Sequence, residues 1–443
     1  MLEVIELGYM DVNPILSPIA FCIATIFSGA VEVGKIEQAL DAVTRGWPVL
    51  GARVRFNEQT GKIEMLIPDV PSVRLKATSK QIDSTLAQTK LVHIKTRTIS
   101  TQVIVRDPSM YRSRPLQNLQ AHIESGEPIW SLHITYLKDS TILAFTLPHF
   151  MDAGGLQDIL HALIGAMDGK PIPPPASQHP WSTLLTKARL HPSHPDLAGS
   201  WSVWDGQSVE EFQQEALSDI QAIGPLQSRN IYFPATEIMR LKQQAMEDII
   251  NAGYNDVKWL STSDVISAWF YQHMFIDLPD SEATSRFMQF VNLRKHFPEA
   301  TYFYRQLTDT QLNSMSYGEI ARMVRLSVDN NAARMPLLTK LKWVYEHEGK
   351  FVAPFNPADR LQVTSSWLMF RFGELDISRH VTESTGTGRV VEMIGEASGK
   401  DGGVVCEMDW ELNGGPQREI AKYALDDQSA AQSTHYAVSG TSL

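Results

Sequence analysis

The chain has 443 residues, 43% hydrophobic and 20% charged, the mix of a globular protein with a large core rather than of a disordered or fibrous chain. Its 39 Lys and Arg against 50 Asp and Glu give a formal net charge of −11. No basic stripe offsets that balance, which argues against nucleic acid and anionic membrane as partners. Only two cysteines, Cys22 and Cys406, are present, excluding a disulfide framework and a cysteine zinc cage.

The opening "MLEVIELGYMDVNP" lacks the basic region and apolar core of a secretory signal. No uncharged run reaches the roughly 18 residues that span a bilayer, and "SGTSL" lacks the basic residue of a peroxisomal tripeptide. The expectation is a soluble cytoplasmic monomer. "SPIAFCIATIFSGAV" (Ser17–Val31) predicts a strand. Ile36, Ala39, Leu40 and Val43 then fall at helical spacing, and Trp47–Pro48 stop that helix. "ARVRF" alternates as a strand. "IWSLHITYL" and "TILAFTLPH" predict a hairpin through Lys138–Asp139–Ser140. From Leu156 a helical face carries Ile159, Leu160, Leu163 and Ile164, closed by Gly169.

"KPIPPPASQHP" (Lys170–Pro180) holds five prolines in eleven residues, an extended connection rather than a packed element. Beyond it "NIYFP" predicts a strand and "ATEIMRLKQQAMEDIINAG" a helix. "STSDVISAWFYQHMF" predicts a second helix beginning near Asp264, capped by Ser261 or Ser263. "FMQFVNLRKHF" reads as a strand, "YGEIARMVRLSVDNNAAR" as a helix, and "LQVTSSWLMF", "RVVEMIG" and "GGVVCEMDWEL" as strands. "QREIAKYAL" reads as a closing helix, and the polar end as a disordered tail. No repeat occurs at solenoid periods. The domains expected are 1–169, a crossover linker over 170–228, a second domain over 229–425 and a tail over 426–443.

One stretch carries the chemistry. "FTLPHFMDAGGLQDIL" puts His149, Asp152 and a Gly-Gly turn between an apolar strand and a helix. A neutral imidazole at such a junction takes a proton from an alcohol or amine, worth about 10²–10⁴-fold in rate. The plainer alternative is that His149 fills a turn and Asp152 caps the helix.

Five segments in order bear on that choice: "ILSPIAFCIATIFSGAVEVGKIEQALDAVTRGWPVLGARVR", "LPHFMDAGG", "STSDVISAWFYQ", "FVNLRKHFP" and "SSWLMFRFGELDIS". Together, from about Asn13 to Trp410, they resemble the BAHD-type acyltransferases, particularly the divergent fungal secondary-metabolite branch. The resemblance implies an α/β chain of two similar-sized chloramphenicol-acetyltransferase-like domains, with mixed sheets and an inter-domain tunnel. It implies acyl transfer, acetyl foremost, from a coenzyme A thioester to a hydroxyl or amine of a small natural product. Coenzyme A is then a co-substrate, with no permanently bound cofactor and no metal. His149 becomes the general base, and Asp152 pairs with Arg294 to hold its loop. Ser365, Ser366 and Trp367 become candidates for stabilising the oxyanion, and Asp376 a structural support. Ser261, Thr262, Ser263 and Lys258 become candidates for holding coenzyme A, with capping and solvation as their plain alternatives.

The chain departs from the family pattern in three places. Only Phe150 and Met151 separate His149 from Asp152, one residue fewer than the family spacing. Only Asp376 survives of the family's D-F-G-W-G, and His296 replaces a second arginine after Arg294. A fold member recruited to a cofactor-free cyclisation, isomerisation or pericyclic step is therefore the alternative, and a non-catalytic binding protein the third. "HPSHP" (His191–Pro195) reads as loop rather than zinc site. "GTGRVV" at Gly386 lacks the strand-turn-helix context of a dinucleotide loop.

Overall fold

The computed structural model describes residues 3–8, 11–12, 17, 19–69, 75–91, 97–102, 108–149, 151–175, 186, 188–190, 202–212, 214, 230–275, 285–291, 303–309, 315–332, 334–347, 350–353, 360–365, 367, 370, 372–382, 384–398, 403–411 and 418–422. It divides into two compact units of similar length. The first comprises Met1–Lys95, Gln102–Ala176 and Trp367–Tyr423, and the second Thr96–Thr101, Ser177–Ser366 and Ala424–Leu443. The chain is thus interleaved, whereas the sequence reading set one contiguous half after another. The expected tail over 426–443 and most of the expected linker lie outside the described residues.

The first unit contains a mixed sheet in the order Lys76–Gln81, Ser131–Tyr136, Ser140–Pro148, Ala20–Ser28, Val390–Ser398, Gly403–Glu411 and Arg418–Lys422. Lys76–Gln81 runs parallel to its neighbour and the other pairs are antiparallel. Val390–Ser398 pairs with Ala20–Ser28, and this pairing draws the C-terminal strands into the first unit. Sequence order cannot reveal it, because backbone pairing depends on free edges rather than on proximity along the chain.

Arg418–Lys422 is a strand, not the helix that "QREIAKYAL" suggested. Five residues fit either period, and the edge of Gly403–Glu411 decides between them. In that register Lys422 stands opposite Glu407 and Arg418 opposite Glu411.

The Lys35–Gly46 and Ala153–Met167 helices pack on each other. Ile36, Leu40 and Val43 of one share a core with Leu156, Ile159, Leu160 and Leu163 of the other, together with Phe145 and Leu147 from the sheet. Each such side chain contributes about 1.5–3 kcal/mol on burial. Trp47, at the end of the first helix, donates from Nε1 to the Pro173 carbonyl at 2.6 Å, pinning the proline-rich stretch where it leaves this unit. Cys22 is buried and unbridged.

In the second unit Ser285–Val291 runs antiparallel to Phe303–Asp309 and parallel to Arg360–Ser365. Helices Ala235–Asn251, Thr262–Phe275 and Tyr317–Ala332 pack together, with the Tyr317 hydroxyl donating to the Val265 carbonyl at 2.6 Å. Mixed sheets and helices in both units give the expected α/β class.

Candidate active site

The Ser140–Pro148 strand is buried along most of its length, and its alternating neighbours lock its register. Pro148 faces Ala20 at its last position, where the missing N–H costs least. The chain then turns, with the Met151 N–H donating to the Pro148 carbonyl at 3.1 Å, and His149 sits on this turn.

Asp152 is the N-cap of the following helix. Its backbone is extended and its Oδ1 accepts the Gly155 N–H at 2.6 Å. The cap starts the helix at Ala153, three residues before the apolar face begins. Gly154 and Gly155 therefore occupy the first helical turn rather than a Gly-Gly turn ahead of it. The capping reading of Asp152 holds. Arg294, its expected partner, lies outside the described residues. Asp152→Ala is expected to cost about 1–2 kcal/mol, measured by denaturant unfolding, because a buried cap leaves an N–H unmet.

His149 is held from a distant part of the chain. Its Nε2 lies 2.6 Å from the backbone carbonyl oxygen of Asp11. A carbonyl only accepts, so Nε2 is the nitrogen that carries the proton. Burial drives the imidazole's pKa down to about 4, the carbonyl countering in part. The ring is neutral at pH 7, the state a general base requires.

Asp11 was not among the residues the sequence suggested. Its Oδ2 accepts the Gly8 N–H at 2.9 Å, while the Asp11 and Val12 N–H groups donate to the Gly8 carbonyl at 2.9 and 3.2 Å. Burial lifts its carboxyl to about 6, the Gly8 bond opposing. The aspartate that closes its own turn was the available signal in "GYMD".

Trp367 belongs to the first unit and is half-buried against its core. Its ring centre lies 5.9 Å from that of Phe372, and its carbonyl accepts the Phe370 N–H at 3.1 Å. Packing is thus its visible role. Gln157, on the helix capped by Asp152, donates to the Phe370 carbonyl at 2.5 Å and ties that segment to the His149 region. Ser366 lies outside the described residues, and Ser365 ends the Arg360–Ser365 strand of the second unit.

No protein-family model matches the chain. Acetyltransferase BOT5 of Botryotinia fuckeliana is 23% identical over 287 residues, 60% of this chain and 52% of that protein. The transcriptional regulator calD of Penicillium decumbens is 22% identical over 283 residues, 60% of this chain and 56% of that protein. The chain thus spans about half the length of the curated relatives it matches. TRI101 of F. sporotrichioides, solved with coenzyme A and T-2, matches 94% of both chains at a TM-score of 0.65 and 15% identity. The resemblance to the BAHD-type acyltransferases stands.

With that fold in view, the altered D-F-G-W-G segment of the BAHD-type pattern remains structural. Asp376 accepts the Ser378 N–H at 2.8 Å and pairs with Arg389 at 2.9 Å. His380 Nε2 meets Asp168 Oδ1 at 2.8 Å, and Lys170 meets Oδ2 at 2.7 Å. This cluster anchors the segment to the far end of the Ala153–Met167 helix. The "GTG" beside it serves close packing: a Cβ on Gly388, at φ 72°, would stand 2.3 Å from the Ser378 backbone, and one on Gly386 2.4 Å from the Gly29 nitrogen.

Ser261 forms a reciprocal capping box. Its Oγ accepts the Asp264 N–H at 3.1 Å, and Asp264 Oδ2 accepts the Ser261 N–H at 2.7 Å. The helix begins at Thr262, so Ser261 rather than Ser263 is the cap. Ser261→Ala is expected to lower stability by about 1 kcal/mol, read as a shift in denaturant midpoint. Thr262 and Ser263 are half-buried in the first turn and Lys258 is exposed. These four belong to the second unit, whereas His149, Asp152, Trp367 and Asp376 belong to the first. Among the described residues no cluster of His, Cys, Asp and Glu is arranged to hold a metal, and no helix is long and apolar enough to cross a membrane.

Proposed function

We propose that the chain is an acyltransferase moving an acyl group, acetyl foremost, from coenzyme A to a hydroxyl or amine of a small natural product. The observation that carries this reading is a buried, neutral His149 at the strand-to-helix junction of a fold shared with a protein solved holding coenzyme A. The imidazole accepts the acceptor's proton as its oxygen or nitrogen attacks the thioester carbonyl carbon. The carbonyl electron pair moves to oxygen, and the oxyanion is met by donors for which Ser366 and the Trp367 indole are the candidates. Collapse breaks the C–S bond, and His149 returns the proton to the departing thiolate.

Asp152 holds the turn by capping its helix, with Arg294 as its proposed second partner. Thr262, Ser263 and Lys258 are the proposed coenzyme A contacts. Ser261 contributes less, since its hydroxyl already serves the cap. TRI101 structures hold T-2 and deoxynivalenol, which recommends small hydroxylated natural products as first acceptors to try. We place the protein in the cytoplasm as a monomer, which sedimentation of the purified chain would check.

The cofactor-free alternative has less support, because the fold's solved relatives include coenzyme A complexes. Calorimetric titration of the full chain with coenzyme A and acetyl-CoA separates the two. Micromolar binding is expected. Absence of heat at millimolar ligand would overturn acyl transfer and redirect the search to rearrangements.

A further inference from the structure

Residues 253–260 join two helices of the second unit without helix or strand of their own, and Tyr254, Lys258 and Trp259 among them are exposed. A connection so open to water stays loose unless something ties it. Here two arginines of the Tyr317–Ala332 helix, one turn apart, do so in the same way. The Arg322 guanidinium carbon lies 3.8 Å from the centre of the Tyr254 ring. Its Nε donates to Asp256 Oδ1 at 2.8 Å and its Nη2 to Asp256 Oδ2. The Arg325 guanidinium carbon lies 4.9 Å from the centre of the Trp259 ring, and its Nη1 meets Asp264 Oδ2 at 3.4 Å. Its Nε and Nη2 donate to Asp329 at 3.2 and 2.7 Å. Between the two rings Val257 is buried, as is Leu260 just beyond Trp259.

Asp264 Oδ2 also accepts the Ser261 N–H at 2.7 Å. Arg325 therefore joins an indole that is 60% exposed to the start of the Thr262–Phe275 helix through one carboxylate oxygen. Lys258 precedes that indole, and Thr262 and Ser263 follow Ser261, so the link spans the three proposed coenzyme A contacts.

We propose that Arg325 is a positioning residue for coenzyme A binding: its guanidinium fixes the Trp259 ring against the Asp264 end of the helix, and so fixes where Lys258 stands relative to Thr262 and Ser263. This rests on the acyl-transfer reading for its ligand, but not for its geometry. The role calls for arginine. A flat guanidinium faces a ring and keeps its edges for carboxylates, whereas an ammonium is a point charge. Lysine at this position would keep a cation for the buried Asp264, whose charge is costly alone, while releasing the ring.

The test compares Arg325→Lys with wild type, both full-length and labelled with nitrogen-15 at tryptophan. The Trp259 indole signal is assigned by its absence in Trp259→Phe. It is expected to be sharp in wild type, and shifted and broadened in Arg325→Lys. By calorimetric titration Arg325→Lys should bind coenzyme A about tenfold more weakly, as when the competent geometry is populated about a tenth of the time. KM for acetyl-CoA should rise with kcat unchanged, the mark of lost binding rather than lost chemistry. A merely destabilised fold would instead lower the amount of active protein and leave KM alone. Trp259→Phe keeps a ring over the guanidinium and should retain affinity, whereas Trp259→Ala should weaken it as Arg325→Lys does. An unmoved Trp259 signal in Arg325→Lys, or unchanged coenzyme A affinity in either Arg325→Lys or Trp259→Ala, overturns the proposal. If Arg325→Lys does not fold, the two Trp259 variants, at an exposed position, decide it. The spectrum needs no ligand, so a signal that moves in a chain unable to bind coenzyme A would sink the acyl-transfer reading alone. Coenzyme A binding indifferent to these variants would sink the positioning alone.

Discussion

His149→Ala is expected to lower kcat/KM for thiol release from acetyl-CoA by about 10²–10⁴-fold, the usual contribution of a general base, with coenzyme A affinity unchanged within a few-fold. The expectation follows from where the ring sits. It is too buried to serve as a solvated surface charge, and it directly follows a strand locked on both sides by antiparallel neighbours. Its pH dependence should carry the same signature. Activity requires the neutral ring, so the acid limb should fall near pH 4 rather than near the 6.5 of a free imidazole. From about pH 5 to 8 the histidine should contribute no inflection. A variant that retains full turnover, or an acid limb near 6.5 that disappears with the ring, would contradict this account.

The second large effect concerns stability, where His149 and Asp11 oppose each other. His149 has a folded pKa near 4 against 6.5 unfolded. Between these values the unfolded state holds the extra proton, so this group adds stability as pH rises from 4 to 6.5 and loses it as pH falls. Asp11 has a folded value near 6 against 3.8. Between those the folded state holds the extra proton, and this group's contribution is lost as pH rises toward 6. Each shift of two units or slightly more corresponds to about 3 kcal/mol, so over pH 4–6 the two largely cancel.

Single variants unmask them. Asp11→Asn should match wild type near pH 3.5 and be more stable by about 3 kcal/mol at pH 7, since it never places a charge in that buried position. His149→Gln should match wild type at pH 7 and be more stable by about 3 kcal/mol near pH 4. Denaturant titrations across this range, read as variant minus wild type, remove the contributions of other groups. An Asp11→Asn difference that stays flat with pH would mean the carboxyl is not desolvated in the folded chain.

Much of the fold is legible in the residues. The run "AFCIATIFS" is too apolar for anything but a buried strand, and Ile36, Leu40 and Val43 mark one helix face. The hairpin through Asp139 is announced by two apolar runs and a three-residue turn. The capping box of Ser261 and Asp264 is likewise local chemistry, written in four consecutive residues. "QREIAKYAL" misled because a five-residue segment fits both periods, and only the open edge beside Glu411 chose between them.

The site divides along the same line. The sequence by itself determined that a histidine and an aspartate flank a strand-to-helix junction, because hydrophobic period, proline and capping chemistry are local. It also carried the resemblance that gives the histidine a reaction. Only the tertiary structure decided that Val390–Ser398 joins the sheet of Ala20–Ser28 and that Asp11 reaches His149. The physical reason is the same in each case. A backbone donor or carbonyl takes whatever partner folding brings within about 3 Å, and its side chain gives no sign of which partner that will be.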